Sequence, residues 1–104
     1  MQLLLHNKKC IVTGASQGLG RAIAMLLAAE QCDLVLVARR KKPLEEVKKL
    51  IQKKYNCKVS TLSIDVTSNN ADIKIKDFAL NQLGTIDILI NSAGGSRPTT
   101  WDAP

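Results

Sequence analysis

Apolar residues in this chain fall into two alternating patterns: short unbroken runs, and longer stretches in which they return every three or four positions. The runs within 8 to 13, 33 to 38, 58 to 65 and 86 to 91 read as strands, and the stretches 18 to 30, 43 to 54 and 68 to 82 read as helices. This alternation predicts an α/β fold on a parallel sheet, because parallel neighbours need a crossover long enough to hold a helix. Leu34-Val35-Leu36-Val37-Ala38 has no polar side to give to water, so helices are expected on both faces. With right-handed crossovers the four strands take the order 3-2-1-4, which leaves Ile86-Asp87-Ile88-Leu89-Ile90 on an edge. A flat apolar edge is normally covered, and the sequence therefore reads as the first part of a larger sheet.

The helices differ in regularity. The first offers the stripe Leu19, Ile23, Leu26 and Leu27 for burial and leaves Arg21, Glu30 and Gln31 to water. In the second, Pro43 sits near the first turn, where its missing N–H costs nothing. Leu44, Val47, Leu50 and Ile51 form its buried side, while Glu45 and Lys49 are spaced to pair on the exposed one. The third has Thr67 or Ser68 as its cap, but Ile73 and Ile75 do not both fit one stripe with Phe78 and Leu83. From Gly94 onward, Pro98, Trp101, Asp102 and Pro104 mark a loop.

Composition bounds the classes that remain. At 104 residues the chain is one domain, 1–104, with 45% hydrophobic and 23% charged residues, and no apolar stretch is long enough to span a bilayer. Met1-Gln2-Leu3-Leu4-Leu5-His6 has too short an apolar core, and no basic segment before it, for a secretory signal; a soluble, cytoplasmic protein is expected. Cys10, Cys32 and Cys57 match no zinc spacing and read as small buried thiols. His6, the single histidine, has no partner for a dyad and reads as a residue at the surface or leading into the first strand. The net charge of +6 gathers in Arg39-Arg40-Lys41-Lys42, Lys48-Lys49 and Lys53-Lys54, which raises nucleic acid as a partner. Tyr55, Phe78 and Trp101 are too few to serve as interleaved stacking platforms, and most of these lysines fall on the outer face of a helix, so no nucleic-acid role is expected.

The main chemical signal lies where Cys10-Ile11-Val12 gives way to the first helix, in Thr13-Gly14-Ala15-Ser16-Gln17-Gly18-Leu19-Gly20. A pyrophosphate is held by backbone N–H groups at a helix N-terminus, and a Cβ would keep that backbone away. Gly14 can turn the chain out of the strand, Gly18 can open the helix under the phosphates, and Gly20 can let the helix lie close to the strand. The spacing is G-x-x-x-G-x-G rather than G-x-G-x-x-G, so the loop is longer between its first two glycines. The alternative is a glycine-rich turn that binds nothing.

Two further motifs follow in order, Asp65-Val66 after the third strand and Asn91-Ser92-Ala93-Gly94 after the fourth. With the glycine loop they resemble the N-terminal part of the short-chain dehydrogenase/reductase family, over essentially all of residues 8 to 95. The resemblance implies a partial Rossmann fold. By position it puts Ser16, Gln17, Gly18 and Leu19 along the phosphates and adjoining ribose, Asp65 at the adenine amino group and the Val66 N–H at the ring. Asn91 would brace the central strands, and Ser92, Ala93 and Gly94 would pass beside the ribose toward the nicotinamide. Ser92 stands where the family's N-N-A-G has its second asparagine, which removes a side-chain amide but leaves a backbone contact possible. Asp65 as a strand-end turn former and Asn91 as a turn residue are the plainer readings.

Cofactor choice follows from charge. An acid at the end of the second strand would suit the ribose 2′-hydroxyl of NAD, whereas Val37-Ala38-Arg39-Arg40 offers cations to the 2′-phosphate of NADP, with Lys42 nearby. NADP (NADPH) is expected over NAD, unless both arginines are simply solvated at a helix entrance. The family reduces carbonyls or oxidises alcohols by hydride transfer, using a serine and a Tyr-x-x-x-Lys pair well beyond this segment. None of these maps here: in Tyr55-Asn56-Cys57-Lys58 the lysine comes one place early, and Val59 occupies its position. No catalytic residue is assigned, and the chain is expected to be a nucleotide-binding fragment that does not turn over alone. The second reading is a non-catalytic nucleotide- or partner-binding module docking by its open sheet edge. A small carbonyl or alcohol substrate, and a homo-oligomer, are implied only for a full-length enzyme.

Overall fold

Period-two alternation divides the apolar run 34–38 between two cores. The computed structural model describes residues 5–92. In it β1 (Lys9–Thr13), β2 (Asp33–Ala38), β3 (Val59–Ser63) and β4 (Ile88–Asn91) form a parallel sheet in the order β3-β2-β1-β4. The crossovers carry α1 (Gly18–Ala29), α2 (Lys41–Lys54) and α3 (Ala71–Leu83). Cys10, Val12, Leu34, Leu36 and Ala38 pack with Ala24, Leu27 and Ala28 of α1 and Leu44, Val47 and Ile51 of α2. Ile11, Val35 and Val37 point the other way, onto Ile75, Ala79 and Leu83 of α3. Two successive right-handed crossovers move in one direction on one face, and the return past β1 puts the third helix on the opposite face.

Several sequence expectations are corrected. The buried side of α1 is Gly20, Ala24, Leu27 and Ala28, one residue further round the helix, while Leu19 and Leu26 are 70% and 67% exposed. Small residues face the sheet because the helix approaches it closely. On α2, Leu50 is exposed, and Glu45 turns from Lys49 toward β3, where its carboxylate accepts the Thr61 hydroxyl. Pro43 becomes the third residue of that helix, still among the positions whose N–H has no intrahelical acceptor. Neither Thr67 nor Ser68 caps α3. Asp65 Oδ1 accepts both the N–H and the hydroxyl of Thr67, at 2.9 and 2.7 Å, and the Ser68 hydroxyl donates to the Asp65 carbonyl at 2.6 Å. That turn ends at Asn70, in the left-handed region at φ 61°, and the helix starts at Ala71. Ile75 is buried and Ile73 exposed, which accounts for the irregular stripe. Cys10 and Cys32 are buried but Cys57 only half-buried; burial raises the pKa of all three thiols, which keeps them protonated.

Charge ties the amino ends of the strands together. Asp33 pairs with the Lys9 ammonium through one oxygen and accepts the Lys58 N–H through the other at 2.9 Å. Asp87 accepts the Lys9 N–H at 2.8 Å and returns its own N–H to the Lys9 carbonyl at 2.7 Å. β3 and β4 begin at Val59 and Ile88, later than their apolar patterns. A partly exposed pair contributes up to about 1 kcal/mol, against about 1.5–3 kcal/mol for each fully buried Leu or Ile side chain. The cores therefore supply the stability and the rim helps fix register.

Partial burial would raise the Asp33 pKa, but the Lys9 hydrogen bond, the Lys58 N–H and the two lysine charges outweigh it and hold the carboxyl below its ordinary range. A depressed folded-state pKa gives stability that is present above the unfolded value and is lost as pH falls through the folded one. Asp33→Asn is expected to cost about 1 kcal/mol in urea unfolding at neutral pH. It should also flatten the loss of stability that the parent protein shows on acidification. Unchanged acid dependence in the variant would contradict this role.

Candidate functional site

Parallel strands bring all their carboxyl ends to one side, so the loops carrying Gly14, Arg39, Asp65 and Ser92 meet at a single end of the sheet. The chain proceeds from β1 to β3 in one direction and returns to β4 on the other side of β1, and in open α/β sheets the point where that order reverses is where a ligand crevice forms.

Gly14 and Gly18 have φ of 65° and 58°, where a Cβ is strained. Around Gly18 nothing lies within 4 Å of a would-be Cβ, so the conformation alone demands glycine there. Gly20 differs. A Cβ on it would overlap the Gly14 carbonyl oxygen and lie 2.7 Å from that carbonyl carbon and 2.5 Å from Ser92 Oγ. The first turn of α1 thus rests on the turn that precedes it.

Gln17 occupies the cap position in extended geometry and its side chain makes no capping bond; no acid stands in the first turn. The N–H groups there have no intrahelical acceptor, and the positive end of the helix dipole is left unneutralised. Beside it, Ser16, Gln17, Arg39, Arg40 and Pro43 line a cleft of about 310 Å³. Arg39 and Arg40 are exposed and form no ion pair with any described residue. The Ser63 hydroxyl donates to the Arg39 carbonyl at 2.9 Å and holds the backbone at the end of β2.

Asp65 is at the same end of the sheet, its carboxylate engaged in the Thr67 turn, and the Val66 side chain packs on the α3 core. Across the crevice the Thr13 hydroxyl donates to Asn91 Oδ1 at 2.8 Å, and the Ser92 hydroxyl donates to the Thr13 carbonyl at 2.6 Å. Ala93 and Gly94, with the loop after them, lie outside the described residues. The structure thus gathers Gly14, Ser16, Gln17, Gly18, Leu19, Gly20, Arg39, Arg40, Asp65, Val66, Asn91 and Ser92 at one end. Sequence reasoning placed Pro43 only in a helix and did not single out Ser63, and it used Thr13 only as the start of the glycine motif.

Tyr55 caps the far end of α2, half-buried against the core, with the Lys54 ammonium 5.7 Å from its ring centre. A larger hollow of about 670 Å³ lies beside Glu46, Lys49, Leu50, Gln52 and Lys53, but its described lining comes from one helix and brings no groups together from separate elements. Among the described residues no group of three or more His, Cys, Asp or Glu could hold a metal ion, and no helix is long and apolar enough to cross a membrane.

The family model described as short chain dehydrogenase matches residues 8–103. The chain is 32% identical to the 7alpha-hydroxysteroid dehydrogenase of Escherichia coli (strain K12), over 98% of this chain and 40% of that protein. Among solved structures, the L-sorbose reductase from Gluconobacter frateurii complexed with NADPH and L-sorbose superposes with a TM-score of 0.82 at 33% identity, covering 95% of this chain and 38% of the other. A short chain dehydrogenase/reductase from Burkholderia phymatum in complex with NAD gives 0.77 at 26% identity, over 82% and 30%. The chain spans well under half the length of the curated relatives it matches.

The two kinds of glycine separate in stability. Gly18→Ala meets only backbone strain and is expected to cost about 1–2 kcal/mol. Gly20→Ala must push α1 off the Gly14 turn and is expected to cost about 3 kcal/mol or more. Urea midpoints measure both, and a Gly20→Ala protein as stable as the parent would contradict the close approach.

Proposed function

The chain belongs to the short-chain dehydrogenase family, and from that premise we propose that it forms the cofactor-binding part of an NADP(H)-dependent oxidoreductase interconverting carbonyls and alcohols. The observation that carries the cofactor choice is the pair Arg39 and Arg40, exposed at the end of β2 and unpaired among the described residues. A ribose 2′-hydroxyl calls for a carboxylate at this point, whereas a 2′-phosphate calls for a cation. The planar guanidinium fork matches phosphate oxygens.

The rest of the crevice fits the same group. The uncapped end of α1 suits the diphosphate, and the open space at Gly18 leaves it room. Ser16, Gln17, Gly18 and Leu19 would lie along the diphosphate and its ribose, and Asp65 and Val66 beside the adenine. Asn91 would brace β1 against β4, with Ser92, Ala93 and Gly94 leading toward the nicotinamide. Bound there, the dinucleotide supplies the hydride that the reaction moves. This chain's residues would hold and orient it; the proton moved with the hydride needs an acid–base group, and we assign that part to no residue of this sequence, its sole tyrosine being at the far end of α2. The 104-residue chain therefore binds the dinucleotide without turning over a carbonyl. A small carbonyl or alcohol substrate, and a homo-oligomer, are proposed only for a full-length enzyme.

Titration calorimetry with both reduced dinucleotides tests this reading. Arg39→Ala is expected to weaken NADPH about ten- to hundredfold and NADH by less than about threefold. Equal losses would contradict the 2′-phosphate assignment.

A further inference from the structure

We infer that the Ser92 hydroxyl is a positioning group for the diphosphate, holding the turn between β1 and α1 in the geometry that presents the first-turn N–H groups. The inference rests on the crevice being a dinucleotide site.

Thr13 is the last residue of β1, and its peptide link to Gly14 is where the chain swings into the left-handed turn. The orientation of the Thr13 carbonyl therefore sets the direction in which the loop leaves the strand. Two consecutive residues of the neighbouring strand end grip this point. Asn91 Oδ1 takes the Thr13 hydroxyl at 2.8 Å, and the Ser92 hydroxyl gives its proton to the Thr13 carbonyl at 2.6 Å. Ser92 Oγ also lies only 2.5 Å from where a Cβ on Gly20 would stand, which puts it against the first turn of α1. One small hydroxyl thus touches the last carbonyl of β1 and the start of the helix, while itself following directly from the edge strand β4. Without it the carbonyl keeps its strand but loses the donor that fixes its tilt, and the first-turn N–H groups lose a fixed direction. The same hydroxyl joins the end of β4 to the diphosphate loop.

The test is Ser92→Ala in the 104-residue chain, read by two measurements. Hydrogen exchange without ligand is expected to speed up about tenfold at the amides of Ala15 and Arg21, whose N–H groups bond the Val37 and Gln17 carbonyls on either side of the loop, while the amides of β2 keep their protection. Unchanged exchange in the loop, or loss of protection in β2 as well, would overturn the inference. Calorimetry is expected to give a Kd for NADPH raised about three- to tenfold. Adenosine 2′-monophosphate, which reaches the Arg39 corner and has no 5′-phosphate to meet the helix N-terminus, should bind within about twofold of the parent value, because it does not use the positioned N–H groups. Equal weakening of both ligands, or of neither, overturns the positioning role and leaves the dinucleotide reading intact. A parent protein that binds neither ligand overturns that reading, and this inference with it.

Discussion

Helix α1 departs so close to the turn it came from that only a residue without a side chain fits at Gly20, where a Cβ would run into the backbone of Gly14. That approach makes the chain reverse from strand to helix within a few residues and brings the helix N-terminus to the crevice at the carboxyl end of the sheet. It also explains the small residues Gly20, Ala24 and Ala28 on the face toward the sheet, since a larger set would hold the helix away. Leaving the first turn of α1 without a side-chain cap forgoes about 1 kcal/mol, a modest loss against the two packed cores, and it leaves donors free for an anion.

The two ends of the sheet handle charge in opposite ways. At the amino ends, cations meet anions within the protein: Lys9 with Asp33, and the Lys9 and Lys58 backbone N–H groups with the carboxylates of Asp87 and Asp33. At the carboxyl ends, Arg39 and Arg40 stand beside the positive end of α1 with no acid in its first turn. Like charges collected without internal compensation repel one another, and a bound anion removes that repulsion. One end fixes register, and the other is where we propose that the ligand binds.

Much of this was legible in the sequence. Strand-helix alternation and the rule of right-handed crossovers led to the order β3-β2-β1-β4, and the glycine spacing marked the turn. On α1 hydrophobicity ranks leucines above glycine and alanine, so the stripe through Leu19 and Leu26 outweighed the true contact face, which close packing had made small. Leu50 lies beside a buried face already filled by Leu44, Val47 and Ile51, and apolar character alone does not tell it from them. The late start of α3 depends on Asp65 capturing Thr67 and Ser68, a choice between two uses of the same polar groups that local propensity does not decide. The grip of Asn91 and Ser92 on Thr13 joins positions 78 and 79 residues apart and has no local signature.

Amide chemical-shift mapping during titration with NADPH tests the central claim most directly, that the turn pressed against Gly20 and the arginines beyond β2 form one anion-binding crevice. The account predicts the largest shifts at residues 15–20 and at Arg39 and Arg40, with the Asp33 and Asp87 rim unmoved. Saturation without shifts at those residues, or shifts concentrated at the opposite rim, would contradict it.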